Sequence, residues 1–244
     1  MAKLIRSGAD QRSTLRSYRR ARIQAWQERI RDPSLTALLV LQVCGLFVAV
    51  PLAARGIHFQ RMVAGTLLLA ALGIVVVLSQ RRGAIVAILA GFMAMAAAEL
   101  FGADWSPMAK AVVGRSGNIV IWLTLTWVVA HAVYAPGRIT SHRLQGAAVV
   151  YLSTAMIFAA AYGLILELQP GAFANLPASG SEAAETAALQ YFSLTTLTTT
   201  GYGDILPVDP FVRSLANLES VLGVFYLSIT VARLVTLESQ DRRR

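Results

Sequence analysis

Thr199-Thr200-Gly201-Tyr202-Gly203-Asp204 alternates glycine with larger residues, directly after the apolar and hydroxyl-rich run Tyr191-Phe192-Ser193-Leu194-Thr195-Thr196-Leu197-Thr198. Glycine adopts backbone angles that L-residues resist, so Gly201 and Gly203 allow successive carbonyls to turn to one side. A row of main-chain carbonyls pointing the same way can replace the water shell of a cation. Thr199 adds a hydroxyl that can coordinate from below. The segment 186–198 is too short to cross a bilayer. Read as a half-length helix, it directs the negative end of its dipole toward the cation. Irregular backbone at membrane depth survives only where protein buries it or it lines a wet cavity. A Gly- and Thr-rich turn without an ion is the bland alternative, and the preceding half-helix and the flanking apolar spans weigh against it.

The elements that must position this segment are membrane spans. The chain has 244 residues, 56% of them hydrophobic and 14% charged, with mean hydropathy +0.57. That balance excludes a soluble domain and predicts an all-α integral membrane protein. Six stretches are long enough to cross a hydrocarbon core as helices, at 34–53, 62–79, 84–101, 117–135, 144–168 and 211–235. The links Arg55 to Arg61, Gln80 to Gly83 and Gly102 to Ser116 are short. Pro136-Gly137 and Pro170-Gly171 mark the turns before and after the fifth span. Cys44 is the one cysteine, so neither an intrachain disulfide nor a cysteine metal cluster can form. The links hold no grouping of nucleophile, base and metal ligands, so no enzyme and no cofactor is expected.

The net charge of +9 flanks the apolar spans, which points to lipid rather than nucleic acid. Residues 1–31 carry nine Lys and Arg against two acids, with Leu15, Tyr18, Ile23, Trp26 and Ile30 at rough helical spacing. This reads either as an interfacial helix on anionic headgroups or as a solvated basic tail that sets topology. No cleavable leader is expected. Asp32-Pro33-Ser34 supplies a cap and a first-turn proline for the first span. Most Lys and Arg fall on one side when both termini are cytoplasmic. The short segment 186–198 then enters and leaves from the outer face.

Residues 199–204 resemble the pore signature of the potassium channel superfamily, whose commonest form is Thr-Val-Gly-Tyr-Gly. Thr200 stands in the second position, a variant similar to bacterial potassium channels with a two-helix pore. The resemblance covers residues 145–238. It implies a homotetramer in the inner cell membrane, with a re-entrant pore helix and a selectivity-filter loop. It assigns potassium, the permeant ligand, to Thr199, Thr200, Gly201 and Tyr202, with Gly203 completing the filter. Asp204 matches the acid at the external mouth. Tyr191 matches the pore-helix aromatic that often bonds to it. Thr195 stands where some relatives carry a carboxylate, and Glu167 resembles an acid that braces the outer pore. Gly223 stands where the inner helix of the family commonly has a flexible glycine, and close helix packing is its other reading. Val224, Leu227, Val231 and Val235 follow at helical spacing and could line a cavity.

Glu219 lies within an apolar span, where ionisable groups are costly. A place behind the filter, bonded to the pore helix or protonated, is expected. Arg233 is expected to reach headgroups. The domains read as a basic segment at 1–33, a four-helix membrane domain at 34–140 and a pore domain at 141–244. Voltage sensing needs several charges in the field, at about 2.3 kcal/mol per charge per 100 mV. The fourth span has no Lys or Arg between Arg115 and Arg138, so weak or no voltage gating follows. His131 there is read as a packing histidine. The gating stimulus stays open, and a weakly selective cation channel and a non-conducting sensor are the alternatives.

Overall fold

The computed structural model describes residues 34–54, 73, 82–134, 141–177 and 182–241. The basic segment 1–33 and the expected second span at 62–79 lie outside them, Gly73 apart. The fold is all-α, and the described residues contain five helices long and apolar enough to cross a membrane.

Helix α1 crosses at Ser34–Leu52. Within it the turn Gly45–Ala49 is widened to the π type, with Val50 N–H bonded to Gly45 O. Pro51 follows at once, and a proline ring clashes with the carbonyl four residues back. The wide turn absorbs that conflict without breaking the span. Helix α2 runs Arg82–Phe101 and α3 runs Pro107–Tyr134.

The expected link Gly102 to Ser116 is shorter than composition suggested. A 3-10 turn at Gly102–Asp104 is followed almost directly by α3. Ser106 accepts the Ala109 N–H at 3.2 Å, and Pro107 occupies the first helical position. Lys110, Arg115 and Ser116 masked this start, because their polarity resembles a loop.

Helix α4 runs Ser141–Leu168 and is the central element, with 56% of its most apolar window buried, against 17% for α2. A core cluster joins Leu35 and Leu38 of α1, Ile88 of α2, Leu125 and Val129 of α3, and Val149 of α4. At membrane depth Gln42 Nε2 donates to Ser153 Oγ at 3.0 Å, tying α1 to α4. Helix α5, Glu182–Leu197, begins a turn earlier than expected, because Ala183, Ala184 and Glu185 are strong helix formers. Helix α6, Pro210–Asp241, extends past the expected end at 235. Two short strands, β1 at Phe173–Ala174 and β2 at Leu206–Pro207, pair antiparallel between them.

Helices α2 and α3 cross at a pair of glycines. A Cβ on Gly117 would stand 2.6 Å from Gly91 O, and one on Gly91 would stand 2.8 Å from Gly117 O. Backbones approach this closely only where side chains are small. Gly117→Ile therefore costs about 1–3 kcal/mol of overpacking, and a thermal unfolding scan of the purified protein should show a lowered midpoint.

Candidate functional site

The row of carbonyls begins where α5 stops. Thr200 N–H donates to Thr195 O at 2.8 Å and Thr199 N–H to Thr196 O at 2.9 Å. These nested bonds, with Thr199 left-handed at φ 56°, end the helix in a Schellman motif. Glycine ordinarily takes that position, and a β-branched residue there is strained. Gly201 at φ 51° and Gly203 at φ 78° are also left-handed. Left-handed backbone thus recurs at every second residue, and 199–203 all lie exposed on the protomer surface. A Cβ on Gly201 or Gly203 would meet nothing within 4 Å, so backbone angle rather than space is what glycine supplies there.

The end of α5 is held from three sides. Tyr151 of α4 donates its hydroxyl to Leu197 O at 3.2 Å. Ser220 of α6 donates to Thr196 O at 3.1 Å. Gly223 is buried against the same turn: a Cβ there would fall 2.1 Å from Leu197 O. Close approach is therefore a role that Gly223 performs in this conformation. Thr195 supports the segment through its carbonyl, which accepts from Thr200 and Gly201. Its hydroxyl turns back to Phe192 O at 2.9 Å.

Glu219 is fully buried behind this turn. Tyr162 of α4 donates to Glu219 Oε2 at 2.7 Å, and Ser193 of α5 sits between Glu219 Oε1 and the Ala155 carbonyl. Three helices, α4, α5 and α6, thus meet at one carboxyl group. Around it stand rings that motif reading did not single out together. Tyr162, Phe173 and Phe192 make three edge-on contacts with centroids 5.2–5.7 Å apart. Their scatter across α4, β1 and α5 left no local signal.

Beside the segment 199–204 the Tyr191 and Tyr202 rings stack, 6.1 Å apart and 2° from parallel. The Tyr191 hydroxyl bonds to Asp204 and holds its carboxyl below the usual carboxylate range. Glu167 stands 3.7 Å from Arg115, at the C-terminal end of α4. Asp209 caps α6 by accepting from Phe211 N at 2.8 Å and Val212 N at 3.2 Å. Gln169 bonds its other oxygen at 2.8 Å.

Val224, Leu227 and Val231 all lie on exposed faces of α6, and the Val235 side chain lies outside the described residues. Arg233 is exposed, yet it does more than reach outward. It donates to Tyr134 O at 3.0 Å and lies over the Tyr134 ring at 4.9 Å. His131 is exposed and lies against Trp127, with centroids 4.6 Å apart and the rings tilted by 39°.

Glu219→Ala strands the buried Tyr162 hydroxyl without its acceptor, a loss of about 1–3 kcal/mol, while Ser193 keeps the Ala155 carbonyl. Glu219→Gln keeps an oxygen for Tyr162 and should lose less. Thermal unfolding of the two variants side by side checks this order. Because the Asp204 carboxyl lies below its ordinary value of 3.8, its contribution is full above that pH. The contribution is lost as pH falls through the lower folded value. An acid titration of stability should therefore show a step that Asp204→Asn removes.

Residues 147–240 match a family model described as an ion channel, a stretch that takes in α4 from Ala147 onward, then α5, the filter-like segment and all but the end of α6. Over 80 residues the chain is 32% identical to the potassium voltage-gated channel protein shk-1 of Caenorhabditis elegans. That alignment covers 33% of this chain and 15% of the relative. No solved structure gives a significant match. The C-terminal part of this multi-pass membrane protein thus matches an ion-channel domain over residues 147–240, and the chain spans only a small part of the potassium channel it resembles.

Proposed function

We propose that the protein is a subunit of a potassium-selective channel, homotetrameric in an inner cell membrane of bacterial type, with both termini cytoplasmic. The observation that carries this reading is the recurrence of left-handed backbone at Thr199, Gly201 and Gly203, directly beyond the end of α5. Such alternation lets successive carbonyls share a direction, as replacing the hydration shell of a cation requires. One chain supplies one such segment, and a ring around an ion needs several copies related by rotation.

Thr199 to Gly203 then form the filter, with potassium at Thr199, Thr200, Gly201 and Tyr202. Tyr191, Thr195, Asp204, Glu219 and Glu167 support it. Val224, Leu227, Val231 and Val235 face the cavity, and Gly223 serves both packing and bending. Anionic headgroups engage the basic segment 1–33. The fourth-span position is occupied by α3, whose Arg115 is paired with acids rather than free to move in the field. This supports weak or absent voltage gating.

Purified protein in liposomes should pass potassium down its gradient and exclude sodium. Gly201→Ala, which forces a side chain into φ 51°, should reduce potassium flux by about tenfold, the effect of ~1–2 kcal/mol of left-handed strain. Equal sodium flux in the parent would demote the reading to a weakly selective cation channel. No flux would leave a non-conducting sensor.

A further inference from the structure

Arg115 is absorbed by none of the roles above. It lies about two turns into α3, and its guanidinium crosses to the pore half. Nη2 stands 2.8 Å from Glu185 Oε1, and Nη1 stands 3.5 Å from Thr186 Oγ1. Nη2 is also 3.7 Å from Glu167 Oε1 at the end of α4. Gly163 makes the passage, since a Cβ there would fall 2.8 Å from Nη1 and 3.1 Å from Cζ. The side chain is 11% exposed.

An arginine that only set topology would reach solvent or headgroups with its rotamers free. Arg115 instead gives up that freedom and most of its hydration, costs that need charge partners in return. Both partners belong to other helices. Glu185 sits in the first turn of α5, the helix whose far end becomes the filter segment. Sixteen residues make α5 a rod about 24 Å long, so a small change of angle at its first turn displaces its last.

A clamp positions only as well as its own mounting. Helix α3 is fastened at its inner end as well, where Tyr134 bonds Thr230 at 3.3 Å and accepts from Arg233 at 3.0 Å. One rigid helix therefore touches the start of the pore helix at one end and the inner helix at the other.

We propose that Arg115 is a positioning residue for the filter, fixing the angle of α5 through Glu185 and Glu167, and that the N-terminal membrane domain acts on the pore through it. The proposal rests on the reading of 199–203 as a filter.

The test uses the full chain in lipid nanodiscs and liposomes, as parent, Arg115→Gln, Glu185→Gln and the charge-keeping Arg115→Lys. Hydrogen exchange of the backbone amides at 195–203 should accelerate by about tenfold in both neutralising variants, and Arg115→Lys, which keeps the charge beside Glu185 and Glu167 without the planar fork, should accelerate it less. The potassium-to-sodium flux ratio should fall in parallel, while exchange of the α2–α3 crossing at Gly91 and Gly117 stays at the parent rate. Unchanged exchange at 195–203 in Arg115→Gln overturns the proposal, as does acceleration spread evenly over all helices. A parent that passes no potassium, with exchange responding as stated, faults the channel reading and upholds the positioning by Arg115.

Discussion

A helix that stops partway through a membrane leaves its last carbonyls without the next turn and without water. Each unpaired carbonyl at that depth costs several kcal/mol. On the proposed reading of α5 as a half-length pore helix, the contacts of α4, α5 and α6 are arranged around this constraint. Thr195 O takes two N–H groups from its own chain, Thr196 O takes one more and the Ser220 hydroxyl, and Leu197 O takes Tyr151. These donors come from α4, α6 and the segment beyond α5, so the three helices are held in register by the needs of one turn. Gly223 belongs to the same solution, since α6 can reach that turn only where it lacks a side chain.

The second tier repeats the logic with side chains. Glu219 would be prohibitive alone in an apolar span, but Tyr162 and Ser193 surround it with hydroxyls from two other helices. The aromatic cluster of Tyr162, Phe173 and Phe192 excludes water from the same region. Polar groups specify the geometry, and rings keep it dry. The arrangement places a well-packed wall directly behind the exposed segment 199–203.

Much of this was legible in the residues. Length and hydropathy located five of the six expected spans among the described residues, because apolar runs that cross a membrane need no periodicity to be seen. The alternation of Gly201 and Gly203 gave the filter-like backbone. Thr199 is also left-handed, which its residue type argues against, and only the helix-ending bonds explain it. The early start of α3 was hidden by polar residues in its first turns. The Arg115 bridge was hidden for a deeper reason. Its partners stand about 50 and 70 positions away, and pairing at such separation leaves no mark on local sequence.

The two-rung pairing of β1 with β2 closes the excursion from α4 out through α5 and back to α6. Ala172 O reinforces this base by accepting from Val208 N at 2.9 Å and Asp209 N at 3.2 Å. A loop pinned at its neck pays its closure entropy once, within a single chain. The segment 199–203 can therefore take its backbone shape as a local folding event within one chain. On the proposed tetrameric reading, subunits would then meet as ready-made parts rather than shaping that backbone between them.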